Sequence, residues 1–324
     1  MKIDLITIFP TIRLETESWD NGEKIPDDRF MDLFHFCGSV IFSLRKLRSN
    51  PSILKPNQIE YVESISKEMI DSGSNPLDDF TIVYDKSVEV DGFDWLDSNG
   101  QRILTYLFMN QRLDYWTNPD FIKVMCFEEG GRLISHNNIH DHWVTIYRYL
   151  LPTEKDHIPK IVVNREVNGK LLAILESLCE KEPDFYARLM TSIGLFNQAC
   201  RMNPTDENSS IVLLVSSFES LLQIPKYPKK ESFSYALKLF WGFDDRIKDW
   251  AGDLYEVRNQ VVHGAVIGKT SLLASKHHHY PHFRIAREIY HDSILLLLER
   301  KGLISVSPKY RQKTQENLKN MVYI

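Results

Sequence analysis

Arg258, Asn259 and His263 lie in the run Leu254-Tyr-Glu-Val-Arg258-Asn259-Gln-Val-Val-His263-Gly264, and their types suit chemistry at a phosphodiester. Cleaving RNA without a metal requires a base for the 2′-hydroxyl proton, an acid for the leaving 5′-oxygen, and a cation against the charged phosphorane. Imidazole can serve as the first two. A guanidinium serves as the third, because its planar fork matches phosphate oxygens. Asn259 could orient His263 or a phosphate. On an ideal helix Arg258 and His263 lie about 140° apart, whereas Asn259 and His263 are i,i+4 neighbours. Gly264 suits a left-handed residue that terminates the helix, which puts His263 in the last turn. There the helix C-terminus favours an imidazolium and a nearby arginine opposes it, a balance suited to acid–base work.

Spacing alone carries little weight. With 17 Arg and 11 His in 324 residues, any one Arg-to-His offset is expected about 0.6 times by chance. Arg29 to His35 is one decoy, read as lying on an apolar helix face. Arg284 to His291 is another, and its i,i+7 spacing returns to one helix face. Arg258/His263 ranks above both because of its surroundings.

The elements that must position this motif follow from apolar periodicity. The start, Met-Lys-Ile-Asp-Leu-Ile-Thr-Ile-Phe-Pro, reads as a first β-strand and not a signal peptide. Phe30, Leu33, Phe34, Cys37, Val40, Ile41, Leu44 and Leu47 recur at three- and four-residue steps, predicting one helix closed by Asn50-Pro51. A second helix is expected after Pro56. Two short β-like runs are expected at Thr81 to Tyr84 and Val88 to Val90, and helical patterning at 103–108 and 142–151. Ile161-Val-Val reads as a strand and Leu171 to Leu178 as a helix. From Pro183 the pattern is helical throughout: Phe185 to Cys200, then a helix capped by Ser209 or Ser210 and stopped by Pro225. Ser232 to Trp241, Asp245 to His263 and Pro281 to Lys301 follow, and an amphipathic segment comes after Pro308.

Bulk numbers bound the class. No apolar run is long enough to span a bilayer, and four scattered cysteines without a CxxC pair suit free thiols in a reducing cytoplasm. The net charge of −5 hides an asymmetry: residues 1–179 carry −9 and residues 180–324 carry +4. Local positive potential is what phosphate contacts need. Two domains are expected, an acidic one over 1–175 of unknown type and a helical one over 176–324.

The run from Leu254 to Gly264 resembles the signature of the HEPN superfamily, with Arg, a polar residue and a following His. Its Leu-Tyr and trailing Gly look most like the Apea-like branch. Ser217-Phe-Glu219-Ser-Leu-Leu222 resembles that branch's upstream helix, at a similar distance. The likeness covers about 180–302 and nothing in 1–175. It implies a helical bundle that dimerises, bringing two Arg/His sets into one cleft. Relatives include metal-independent endoribonucleases of toxin, antiviral-defence and RNA-processing systems, and some members have lost catalysis and only bind. Glu219 is then either a solvated helix charge or a partly buried partner orienting Arg258.

Other motifs are weaker. His136-x-x-x-His140-Asp141-His142 has metal-like ligand types and would share a helix face if helical, but Asn137-Asn138 suggests a turn. No metal or other cofactor is assigned. Lys226, Lys229 and Lys230 interleave with Tyr227, which suits single-stranded RNA, and Lys276 and Arg284 flank a histidine-rich stretch beside the motif. A solvated interhelix loop is the plainer account of each.

The expectation is therefore a mainly α chain, α+β overall, with an N-terminal mixed α/β domain and a C-terminal helical bundle. Its expected activity is that of a metal-independent endoribonuclease leaving 2′,3′-cyclic phosphate and 5′-hydroxyl ends. Arg258 and His263 are the catalytic pair, Asn259 orients, and Glu219 supports. Partners would be RNA, with tRNA as one candidate, a second copy of the chain, and a regulatory protein or sensor ligand at the N-terminal domain. The alternative is a non-catalytic module of the same type that binds RNA, nucleotide or a partner protein.

Overall fold

The computed structural model describes residues 2–9, 13–20, 23–26, 33–36, 38–71, 80–89, 99–100, 102–103, 106, 122–128, 132–139, 160–164, 170–202, 206–224, 229–240, 245–264 and 282–305. Two compact units divide the chain, Met1–Cys179 and Glu180–Ile324. Most described residues are helical. No described helix is long and apolar enough to cross a membrane.

The first unit is built around a six-stranded antiparallel sheet. Its strands are β1 (Lys2–Phe9), β4 (Leu33–Phe36), β5 (Ser39–Ser43), β6 (Thr81–Glu89), β7 (Ile122–Glu128) and β8 (Leu133–Ile139), in the order β4-β5-β6-β1-β7-β8. A smaller sheet joins β3 (Glu23–Pro26), β2 (Arg13–Asp20) and β9 (Lys160–Asn164), with β2 and β9 parallel. Ile3, Ile6, Thr7 and Ile8 give β1 the branched side chains that favour a pleated strand. As the inner strand β1 is buried from Ile3 to Phe9. Ile6 and Ile8 share a core with Phe42, Ile82 and Tyr84, with Leu44 and Leu47 of α1 (Leu44–Ser49), and with Val62 of α2 (Pro56–Asp71). On the other face, a Cβ on Gly100 would meet Ser39 and Val83 at 2.7 Å, so only glycine fits that approach.

The single helix expected over 30–47 does not form. Leu33–Phe36 and Ser39–Ser43 pair as an antiparallel hairpin, with Phe36 opposite Ser39, and helix begins only at Leu44. Gly38 sits in the turn at φ +84°, a conformation glycine adopts without steric cost. The helical periodicity came from a dense apolar run, and strands buried on both faces produce such runs. Ser43 caps the helix that does form, accepting from the Lys46 amide at 3.1 Å. The two β-like runs near 81–90 are one strand, continued through Ser87 at φ 55°. The expected strands at 2–9 and 161–163 and the helix after Pro56 are present. Of the helical patterning at 103–108, positions 103 and 106 are helical, and that at 142–151 lies outside the described residues.

Asp4 places a carboxylate inside this sheet. It accepts from Lys55 Nζ (2.8 Å), from Gln58 Nε2 (3.1 Å) and from the Ser87 amide (3.1 Å). Burial opposes its ionisation, but those three donors outweigh it and hold the carboxyl below its usual value. A depressed folded-state value means that this stabilisation is fully present above the ordinary carboxylate value and is lost as pH falls from there through the lower folded-state value. Asp4→Asn is therefore expected to destabilise the first unit by about 1–3 kcal/mol at pH 7 and to flatten its acid-unfolding profile. Urea midpoints at pH 7 and pH 3.5 check this, and an equal mutant penalty at both would refute it.

The second unit contains α4 (Pro183–Met202), α5 (Glu207–Leu222), α6 (Lys229–Phe240), α7 (Asp245–Val262) and α8 (His282–Arg300). The helix α3 (Lys170–Lys181) precedes it. Serines join α4 to α5. Ser210 Oγ donates to the Ala199 carbonyl (3.0 Å), Ser192 Oγ to the Ser217 carbonyl (2.7 Å), and Ser220 Oγ to the Arg188 carbonyl (3.4 Å). The cap of α5 is thus neither Ser209 nor Ser210. Asp206 caps it, accepting from the Ser209 amide at 3.0 Å and from the Ser209 hydroxyl, and both serines lie inside the helix.

One aromatic ring from each of the five helices completes the core. Phe196 of α4 stacks on Tyr290 of α8 (4.2 Å, 7°), Tyr290 meets Phe218 of α5 edge-on (5.3 Å), and Phe218 meets Phe233 of α6 (6.0 Å). Phe233 in turn lies 5.4 Å from Tyr255 of α7. Offset and edge-to-face pairs of this kind add to what burial alone contributes. Tyr290 satisfies its buried hydroxyl on Ser192 Oγ at 2.6 Å.

Candidate functional site

Tyr255, the last ring of that series, lies one helical turn before Arg258. The Arg258 guanidinium carbon lies 5.5 Å from the Tyr255 ring centroid, within cation–π range. Its Nη1 donates to Asn259 Oδ1 at 3.1 Å. Arg258 Nε is buried and has no hydrogen-bond partner among the described residues. The arginine is half-buried, so its stem is enclosed while the head is held by one ring and one amide.

Asn259 serves both ends of the motif. Its side chain holds Arg258, and its peptide carbonyl accepts from the His263 amide at 3.0 Å. Its side chain thus meets Arg258 and makes no hydrogen bond to the His263 ring among the described residues. His263 is exposed and stands just past Val262, where the helix ends. Gly264, at φ +78°, donates its amide to the Val261 carbonyl at 3.0 Å. That is the left-handed stop expected from its position, and it leaves the imidazole facing water at a helix C-terminus.

Glu219 is a partner at one remove. The Tyr255 hydroxyl donates to Glu219 Oε1 at 3.1 Å, and Lys229 Nζ lies 3.5 Å from the same oxygen. Among the described residues no hydrogen bond or ion pair joins Glu219 to Arg258. The carboxylate side chain is 17% exposed. It therefore acts as neither a freely solvated charge nor a direct partner of the arginine. Burial first, and then Glu219, push the Tyr255 phenol up to about 12, with Arg258 opposing. Tyr255 thus stays a protonated donor across the physiological range. Its importance was missed from sequence, where the available signal was an aromatic at i−3 from the arginine.

The remaining candidates separate. Lys230 pairs with Glu256 at 2.8 Å, so both described lysines at the start of α6 are engaged with carboxylates. Their side chains remain 40% and 43% exposed and can exchange those partners for phosphate. Lys226 and Lys276 lie outside the described residues, as does the Arg284 side chain. His282 is not part of an exposed histidine loop. It begins α8, is buried, and its ring lies 6.5 Å from Trp250. His291 is desolvated, which pushes its imidazole down to about 4, so at neutral pH the ring is uncharged and not an imidazolium. His35 of the other decoy is exposed on strand β4, and Arg29 lies outside the described residues. His136 lies in strand β8 opposite Met125, so no helix presents it beside His140, which lies outside the described residues.

Searches against protein-family models, curated proteins and solved structures found no match to this chain.

Proposed function

We propose that residues 176–324 form a HEPN-type module that pairs with a second copy and cleaves RNA without a metal. What carries this reading is the end of α7, where a half-buried arginine is held by Tyr255 and Asn259 and an exposed histidine stands just past the last turn. Arg258 offers its guanidinium charge to phosphate oxygens as charge builds on phosphorus. His263 takes the 2′-hydroxyl proton, the 2′-oxygen bonds to phosphorus, and the 5′-oxygen leaves with a proton delivered by an imidazolium. The products are a 2′,3′-cyclic phosphate and a 5′-hydroxyl. Two histidines in one dimer cleft would supply base and acid in a single turnover. The more acidic N-terminal half, at −9 over residues 1–179, then restrains or steers the nuclease by repelling RNA from wrong approaches. A toxin or antiviral-defence effector is the role that suits such an arrangement.

Incubating the full-length protein with total RNA and excess chelator, and sequencing the new ends, tests the activity. Cyclic phosphate ends in EDTA are expected, with tRNA among the substrates to inspect first. Binding without cleavage would favour the non-catalytic alternative. Light scattering is expected to give twice 37.9 kDa at micromolar concentration, since one Arg/His set per chain leaves half a cleft. A monomer with and without RNA would count against the composite site.

A further inference from the structure

We infer that Tyr255 is a positioning residue for Arg258, a role that rests on the reading of Arg258 as the phosphate-binding cation. Four observations converge on it. The Arg258 guanidinium lies over the Tyr255 ring at 5.5 Å. The Tyr255 hydroxyl is bound to Glu219 Oε1 on α5 at 3.1 Å, and Lys229 at the start of α6 steadies that oxygen from 3.5 Å. Phe233 of α6 packs against the same ring at 5.4 Å. The buried Arg258 Nε finds no partner among the described residues, and the guanidinium's one hydrogen bond among them runs to the neighbouring Asn259.

The physical consequence is a division of labour. An arginine side chain carries several rotatable bonds, and a single hydrogen bond to the adjacent residue leaves the plane of the fork free to swing. A ring beneath it restricts that swing, but only if the ring itself is fixed. Burial against Phe233 fixes the body of Tyr255, and the bond to Glu219 fixes its tip. Three helices, α5, α6 and α7, therefore define where the guanidinium fork points, although only α7 carries the motif. Glu219 acts through Tyr255 and never meets the substrate. The phenol does not titrate near neutrality, being pushed up to about 12, so it contributes orientation and no proton.

Two readouts on the full-length protein test this. The first needs no activity: the ¹H–¹⁵N resonance of Arg258 Nε, identified by its loss in Arg258→Lys. In the wild type a dispersed signal with slow solvent exchange is expected. Tyr255→Leu is expected to move it to the free-arginine position, and Tyr255→Phe and Glu219→Gln to broaden it partway. The second is steady-state cleavage. Tyr255→Leu is expected to lower kcat by up to about 10²-fold, the scale of a misplaced group, with KM within about twofold. Tyr255→Phe should lower kcat by several-fold and leave the shape of the pH–rate profile unchanged. An unmoved Arg258 signal in Tyr255→Leu overturns the inference, whatever the enzyme does. So does a folded Tyr255→Leu protein with wild-type kcat, or a Tyr255→Phe profile that loses one limb, which would make the phenol an acid or base. A wild type that cleaves no RNA sinks the nuclease reading instead, while the resonance still decides whether Tyr255 holds Arg258.

Discussion

Replacing His263 with alanine is expected to lower RNA cleavage by roughly 10²- to 10⁴-fold, the usual contribution of a positioned acid–base group. Folding should survive, because the imidazole is exposed and its backbone hydrogen bond to Asn259 does not depend on the side chain. RNA affinity should change little, since one exposed ring contributes little beside several cationic contacts. Arg258→Ala should lose comparable activity and also weaken binding, and Arg258→Lys should recover only part, because an ammonium cannot present two parallel donors. Single-turnover cleavage in EDTA, alongside filter binding, separates the two effects. His291→Ala serves as the parallel control and should leave cleavage much less affected. Undiminished cleavage by His263→Ala would move the site elsewhere.

The second large effect is on stability. Phe218 is fully buried and meets both Phe233 and Tyr290 edge-on. Phe218→Ala removes the middle ring of a series that takes one side chain from each of five helices, so the cavity cannot close by moving one helix alone. A loss of about 3–5 kcal/mol is expected, the range for a buried phenylalanine truncated in a core that relaxes poorly. Hydrogen-exchange protection of peptides in α4, α5, α6 and α8 measures it within the second unit. A change under about 1 kcal/mol would mean that the aromatic series bears little of the packing.

Much of the second unit was legible because its helices are long and carry explicit stops. Asp245 opens α7, Gly264 ends it at φ +78°, and Gly302 ends α8 at φ +71°. The first unit was harder to read. A run such as Leu33 to Leu47 satisfies helical spacing simply by being densely apolar, and the one discriminating signal was a glycine, Gly38, in its middle. The polar stretch Asp85-Lys-Ser87 looked like a break between two strands, whereas Asp4, 83 positions away from Ser87, holds the Ser87 amide and keeps the strand continuous. At the site, Arg258, Asn259 and His263 were legible as a local pattern. The Tyr255–Glu219 bond was not, because it joins residues 36 positions apart on different helices. Local chemistry could be read in order along the chain; tertiary partnerships of side chains could not.

The order of strands in the larger sheet has a consequence for how the protein is made. Strand β1 lies between β6 and β7, so the segment Lys2–Phe9 cannot complete its pairing until Ile122–Glu128 has been synthesised. At about 5–20 residues per second, that is a wait on the order of ten seconds. Non-local pairings of this kind are also slow to form. Arg258 and His263 are added only after about 130 further residues, again on the order of ten seconds later. The sheet thus has time to close before either residue leaves the peptidyl-transferase centre. On the proposed reading, the restraining unit can fold before the residues of the nuclease motif have been joined to the chain.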